Sequence, residues 1–269
     1  MPLTASLIIS TYNWPAALEL CLNSILLQKE LPDEVMIADD GSGEATKNVI
    51  DAFKKKCPVP VKHIWQEDDG FRLATIRNKA LAASSGEYII QIDGDIIMHP
   101  FFIKDHLAFA KKNTFVRASR VYLNQALSEQ KLSEKSSEIN IFKNSIQNKT
   151  SAIRIPLLWK IFETSYKNKG DERYEIHGCN MAFWKQDALD VNGYNEDFKG
   201  WGPEDKEFVA RLLNSGKEKR FLKLGGIAFH LYHIENTKPL LKQNEKLLKN
   251  AIEFHYTFCE NGLNKYISR

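Results

Sequence analysis

Glu87-Tyr88-Ile89-Ile90-Gln91-Ile92-Asp93-Gly94-Asp95 is the stretch that decides how this chain is read. Glu87 to Ile92 is a short apolar run of strand length, and it opens directly onto two carboxylates. Upstream, short apolar runs alternate with amphipathic stretches. Ser6 to Ser10, Glu34 to Asp40 and Val61 to Gln66 read as strands, while Pro15 to Leu27, Ala45 to Cys57 and Phe71 to Ser84 carry helical spacing. In the first helix, Leu18, Leu22, Ile25 and Leu26 share a stripe, Asn13 suits the N-cap and Pro15 the first turn. This alternation predicts an α/β fold with a mostly parallel sheet flanked by helices. In open sheets of that kind ligands bind beyond the carboxyl ends of the strands, which is where the acidic clusters fall.

The composition narrows the function. In 269 residues, 37 Lys+Arg face 34 Asp+Glu, a net charge of +3 that is too small and too dispersed for a nucleic-acid footprint. With 15 Phe, 9 Tyr and 5 Trp the chain can bury a sizeable core, and disorder is excluded as a class. Cys21, Cys57, Cys179 and Cys259 lie far apart with no C-x-x-C pair, so they read as reduced core residues. No apolar run reaches membrane-span length and no signal peptide is legible, so a cytoplasmic protein is expected. Three parts are expected: 1–98 and 99–236 as the two halves of one domain, and 237–269 as a helical tail. The polar stretch from Leu127 to Thr150 suits a loop or exposed helix, or a lid over an acceptor. Ile153 to Tyr166 is expected to pack on the core, with contact to a membrane or partner as the rival. Pro203 to Leu213 reads as a helix. Lys238 to Tyr256 reads as a Lys-rich amphipathic helix whose charged face is solvated, or meets anionic lipid.

Several constellations carry chemistry. Asp93 and Asp95, two apart on an extended segment, can share one side and offer hard oxygen ligands to a divalent cation that bridges diphosphate oxygens. The same pattern also suits an ordinary Asp-Gly turn. Asp39-Asp40-Gly41-Ser42 ends an earlier strand, where a carboxylate can accept from a base N–H or a ribose hydroxyl, or simply cap a helix. Arg72 and Arg77 offer guanidinium forks to phosphate, with salt bridges to Glu67, Asp68 or Asp69 as the competing use. In Gly200-Trp201-Gly202-Pro203-Glu204-Asp205 an indole flanked by glycines suits the C–H face of a sugar. Glu204 and Asp205 fall in the first turn of a helix, where a carboxylate stays ionised and can act as a base. His230 and His233 follow an apolar strand, and one of them can complete a metal shell, although a lone His is commonly structural.

Taken in order, Thr11-Tyr12-Asn13, Asp39 to Ser42, Gln66 to Leu81, Asp93 to Asp95, Gly178 to Phe208 and a late His resemble the inverting family-2 glycosyltransferases of the GT-A fold. The likeness is nearest to the catalytic domains of bacterial chondroitin-type polymerases, with a galactosyltransferase-type C-terminal motif, and it covers about residues 3 to 236. It implies a GT-A type, Rossmann-like fold with an acceptor-side C-terminal part. Thr11 and Tyr12 would line the nucleotide pocket, Asp40 would read uracil or ribose, and Arg72 and Arg77 would orient the diphosphate. Asp95 would bind Mn²⁺ or Mg²⁺, with Asp93 beside it, His230 as the matching imidazole and His233 as its rival. Trp201 would hold the sugar, Glu204 would hold donor or acceptor hydroxyls, and Asp205 would be the catalytic base. The resemblance implies a UDP-sugar donor and an oligosaccharide or lipid-linked glycan acceptor in capsular or cell-surface polysaccharide synthesis, at the inner face of the membrane. Polymerases of that type carry two such domains and this chain has room for one, so copolymerisation by a single chain is not expected.

Two rival classes fit part of the pattern. A sugar nucleotidyltransferase would share the sheet and the metal, but no Gly-rich, Lys-containing triphosphate loop is present near the N-terminus. A non-catalytic carbohydrate-binding protein on the same fold would keep the Trp without the chemistry.

Overall fold

The computed structural model describes residues 2–141, 146, 148–164, 168–234 and 238–267. Ten strands and nine α-helices follow one another among them: β1 Ala5–Thr11, α1 Pro15–Leu26, β2 Glu34–Asp39, α2 Glu44–Lys54, β3 Val61–Trp65, α3 Leu73–Ala83, β4 Tyr88–Asp93, β5 Ile96–Met98, α4 Phe102–Phe109, β6 Thr114–Ala118, β7 Arg120–Tyr122, α5 Gln125–Glu134, α6 Trp159–Phe162, β8 Asn180–Trp184, α7 Lys185–Asp190, α8 Glu204–Asn214, β9 Glu218–Leu222, β10 Ala228–His230 and α9 Leu241–Glu253. The expected α/β architecture is present. A seven-stranded sheet has the order β3-β2-β1-β4-β8-β6-β9, with β8 antiparallel to both of its neighbours. A three-stranded sheet, β5-β10-β7, stands beside it.

Both faces of the large sheet are covered, which is why its strands read as continuous apolar runs. Leu7 and Ile9 of β1 point into one core with Leu18, Cys21 and Ile50, while Ile8 points into the other with Ile76 and Phe208. Parallel pairing sets Thr11 beside Asp39 and Ser10 beside Asp93, so the carboxyl ends of β1, β2 and β4 form one acidic edge.

Packing corrects one expectation and refines three others. Asn13 does not cap α1: Trp14 holds that position, and Asn13 is left-handed with φ 44°. Its Oδ1 instead accepts from Gly43 N–H at 3.0 Å, which ties the loop after β1 to the loop after β2. The polar stretch 127–150 is a helix in its first part, capped by Asn124, and none of its described residues lines the cavity reported below; 142–145 and 147 lie outside the described residues. Of the segment expected to pack, Trp159 does so, donating to Leu224 O at 2.9 Å, while Leu157 is 92% exposed and Ile161 61% exposed. The C-terminal helix is not only a solvated face: Asn244 and Ala251 are buried against the body. The four cysteines are free thiols and three are buried, as expected.

Two buried groups give the fold an acid limit. Burial opposes ionisation of Glu34, but hydrogen bonds from Ser6 Oγ, Lys62 Nζ and Ser85 N–H bring its carboxyl down to about 2. Burial pushes the His106 imidazole down to about 4, against a hydrogen bond to Asn180. Both folded values lie below the ordinary ones of 4.5 and 6.5, so the unfolded chain takes up protons first as pH falls. The melting temperature should therefore decline from about pH 6.5 downward and steepen below about 4.5. Glu34→Gln should lose about 2 kcal/mol at pH 7 and flatten the lower part of that decline, as read by thermal melts across pH.

Candidate active site

A cavity of 690 Å³ opens at the acidic edge, lined among others by Thr11, Tyr12, Asp40, Arg77, Asp93, Asp95, Trp201, Glu204, Asp205, His230 and His233. Of the residues the sequence singled out, only Arg72 lies outside it, in a neighbouring depression with Trp65, Gln66, Glu67, Asp68, Asp69 and Lys79. The Arg72 side chain pairs with Asp69 at 3.5 Å and donates to Glu67 O, which is the salt-bridging use weighed against phosphate binding. Its backbone N–H reaches Asp40 Oδ2 at 2.8 Å and Gln66 Nε2 donates to the other oxygen, so Asp40 is held rigidly at the pocket wall. Burial nevertheless raises the Asp40 carboxyl above its ordinary range. Tyr12, half exposed, donates to Asp68 Oδ2 at 2.8 Å.

Arg77 is the centre of the site. It is 1% exposed, and its guanidinium donates to Asp205 Oδ1 at 2.8 Å, Asp93 Oδ1 at 3.1 Å, Glu204 Oε1 at 3.5 Å and, through Nε, to Ser10 Oγ at 3.2 Å. The guanidinium also lies 5.3 Å from the Tyr194 ring centroid. One buried cation on α3 thus fastens the end of β4 to the start of α8. With three carboxylates on it, this fork has little left for a phosphate, which reassigns Arg77 from direct donor contact to holding the acids in place. Burial, then the charge of Asp205, raises Glu204 to about 8, and Glu204 Oε2 is buried without a partner. A neutral carboxylic acid there can donate a hydrogen bond as well as accept one.

Asp205 is held from the other side by backbone. A Cβ built on Gly178 would stand 1.9 Å from Asp205 Oδ2, so only glycine lets the strand entry at 178–180 approach the carboxylate. Gly178→Ala should push Asp205 off Arg77 and lower kcat by about 100-fold, with nucleotide affinity within about twofold, as steady-state kinetics and nucleotide titration would read. Gly178 sits in the quoted run Gly178 to Phe208, but its role was hidden because its partner lies 27 positions on. Gln91, Arg120, Tyr122, His177 and Tyr194 are further residues of this neighbourhood that sequence reasoning missed.

On the opposite flank of the Asp-x-Asp turn, Asp95, His230 and His233 bring one ligand atom each to within 4.8 Å of one another. Asp95 Oδ2 lies 3.5 Å from His230 Nε2 and 3.3 Å from His233 Nε2. Both imidazoles face the site, because the chain after β10 leaves helical and strand periodicity behind. Each Nδ1 meets a backbone carbonyl, Leu231 O at 2.8 Å and Ile234 O at 3.1 Å, which commits the ring hydrogen there and leaves Nε2 as the ligand atom. Asp95 Oδ1 is buried without a partner. Hard oxygen, two oriented imidazoles and an orphan carboxylate oxygen fit a divalent cation. Burial opposes the ionisation of Asp95, but with no cation bound a second proton on the imidazoles lets His233 donate from Nε2, and this hydrogen bond with the charge of the rings holds Asp95 below the usual carboxylate range; a cation would take the place of those Nε2 protons. Among the described residues Asp93 is not in this cluster and faces Arg77 instead.

Trp201 is 40% exposed, and Lys238 Nζ sits 3.9 Å over its ring. Asn244 of α9 donates to Lys199 O at 2.9 Å and Trp201 O at 3.0 Å, which fixes the Gly-Trp-Gly loop. Leu241, Glu245 and Leu248 of the same helix line the cavity, so the C-terminal segment forms part of the site.

Known proteins resemble this chain in sequence and fold. The family model for glycosyl transferase family 2 matches residues 6–184, and one described as the N-terminal domain of galactosyltransferase matches 161–234. The chain belongs to glycosyl transferase family 2 and is a glycosyltransferase. It is 28% identical to the chondroitin synthase of Escherichia coli over 89% of this chain and 35% of that protein. It is also 28% identical to the hyaluronan synthase of Pasteurella multocida over 89% of this chain and 25% of that protein. The chain therefore spans about a third or less of these two relatives. Among solved structures, S. aureus TarS 1-349 in complex with UDP-GlcNAc superposes with a TM-score of 0.60 at 19% identity, over 87% of this chain and 60% of that one. GalNAc-T7 with UDP, GalNAc and Mn²⁺ superposes with a TM-score of 0.66 at 17% identity, over 92% and 48%. The fold is the GT-A fold. No described helix is long and apolar enough to cross a membrane.

Proposed function

We propose that this chain transfers a hexose-type unit from a UDP-sugar to a hydroxyl of a glycan acceptor, with inversion at the anomeric carbon and with Mn²⁺ or Mg²⁺ bound. The observation that carries the reading is the joint geometry at Arg77: one guanidinium presents Asp205 and Glu204 beside Asp93, and the Asp95-His230-His233 cluster adjoins them. UDP-GlcNAc on one structural neighbour, and UDP with Mn²⁺ on another, support the donor and the metal.

Asp95, His230 and His233 would hold the cation, which supplies charge stabilisation for a departing diphosphate. Thr11, Tyr12 and Asp40 bind the nucleoside end. Asp205, fixed through Oδ1 by Arg77, accepts the proton of the acceptor hydroxyl as it attacks from the face opposite the leaving group. Glu204, neutral near pH 7, donates to or accepts from sugar hydroxyls. Trp201 offers an apolar face to the sugar and α9 forms a wall of the same cavity. The sugar belongs to the galactose, N-acetylgalactosamine, N-acetylglucosamine or glucuronic acid type. The acceptor is an oligosaccharide or lipid-linked glycan of capsular or cell-surface polysaccharide, which places the enzyme peripherally at the cytoplasmic face of the membrane.

The test is the anomeric configuration of the product. NMR of the product formed from an α-linked UDP-sugar should show a β-linkage; an α-linked product would remove Asp205 as the base of an inverting reaction.

A further inference from the structure

Four Arg and Lys side chains line the cavity among the described residues, and three are committed. Arg77 is held by three carboxylates, Lys206 pairs with Glu175, and Lys238 is seated on the Trp201 ring. Arg120 differs. Among the described residues no carboxylate lies within ion-pair distance of it; its Nη1 donates only to the Cys179 thiol, 3.5 Å away, and its Nε is buried without a partner. The guanidinium is braced 4.6 Å over the Tyr122 ring. Partly burying a guanidinium with no carboxylate in direct contact is costly, and although Asp93 acts on it from beyond ion-pair distance, an anion bound in the cavity would offset more of that cost.

The three-stranded sheet sets where that anion lies. In its register Ile96, His230 and Tyr122 form one row, Ile97, Phe229 and Val121 the next, and Met98, Ala228 and Arg120 the one after that. Arg120 and Tyr122, two apart on β7, share a face, and the Tyr122 ring lies 5.6 Å from His230. A planar fork thus stands two positions along the strand from the row of His230, on the same face, and Asp95, the remaining member of the metal cluster, immediately precedes Ile96. Guanidinium forks match phosphate oxygens in pairs, where a thiol offers only a weak acceptor.

We infer that Arg120 is the donor-binding residue that grips the β-phosphate of the nucleotide diphosphate, completing from β7 the anion site whose metal ligands come from β10 and the turn before β5. This rests on the UDP-sugar reading above and adds a residue that no sequence motif singled out. It also divides the labour of the arginines: Arg77 organises the acids, and Arg120 receives the leaving group.

UDP and UMP differ by that phosphate, so the test compares their affinities by calorimetry with Mn²⁺ present. Arg120→Met should weaken UDP about tenfold while UMP stays within about twofold. Arg120→Lys, which keeps the charge without the fork, should fall between them. UMP binding and an unchanged thermal melt certify that each variant is folded, and the lysine variant serves if the methionine variant is not. Equal losses for both nucleotides, or an unchanged UDP-to-UMP ratio in wild type and variants, would overturn the assignment. So would a loss confined to a UDP-uronate with UDP itself unaffected, because the anion would then be the sugar carboxylate. A wild-type protein that binds no UDP would instead overturn the donor reading itself.

Discussion

Asp205→Asn should lower turnover by about 1,000-fold while leaving UDP affinity within about twofold. The amide keeps the size of the side chain and can still accept from Arg77 Nη1, now 2.8 Å from Asp205 Oδ1, so the buried network loses a charge without losing its shape. It cannot take a proton from an acceptor hydroxyl. Removing one of three carboxylates around Arg77 also relieves the like-charge crowding on Glu204, whose raised value owes most to burial and next to Asp205. The pH dependence of any residual activity should therefore shift downward for groups titrating near 8. Near-normal kcat in this variant would assign the base elsewhere.

The second large effect belongs to the metal cluster. Asp95→Ala should abolish tight Mn²⁺ binding and lower kcat by about 1,000-fold, equivalent to about 4 kcal/mol of transition-state stabilisation. Among the described residues Asp95 is the one carboxylate that meets both imidazoles, so its loss leaves His230 and His233 without a common anion. His233→Ala should cost less than His230→Ala. His233 is 41% exposed in its side chain against 13% for His230, and His230 is fixed in the strand row of the small sheet. Manganese affinity, read by isothermal titration in the absence of sugar, separates loss of the ion from loss of turnover.

Much of the first hundred residues was legible in the sequence because parallel strands buried on both faces write themselves as unbroken apolar runs. Ser6 to Ser10 and Glu87 to Ile92 are such runs, and the acids at the carboxyl ends of β2 and β4 mark the acidic edge. Turn and cap assignments were less secure, as at Asn13, whose side chain serves a neighbouring loop instead of its own helix. Of the small sheet only the strand before His230 was legible, and its pairing was not, for a physical reason: β5, β7 and β10 are three residues each, too short for periodicity to accumulate. Arg120 on β7 was hidden with it. Arg77 was noticed but given the wrong partners, because the acid that binds it most closely lies 128 positions away in sequence. Nor could spacing show that α9 walls the cavity, since its Lys-rich face dominates the pattern while Asn244 and Ala251 are the residues buried against the body and Asn244 holds the Gly-Trp-Gly loop.

In the proposed reaction the acids on Arg77 and the Asp95-His230-His233 cluster together cleave a UDP-sugar. Release of UDP from α-linked UDP-sugars, followed with Mn²⁺ or Mg²⁺ and again after chelation, tests it most directly. The expected result is metal-dependent UDP release that chelation stops and Asp95→Ala and Asp205→Asn both suppress. A protein that binds the donor but releases no UDP would be a carbohydrate-binding module on this fold, one that consumes pyrophosphate to form UTP would be a nucleotidyltransferase, and either result would contradict the account.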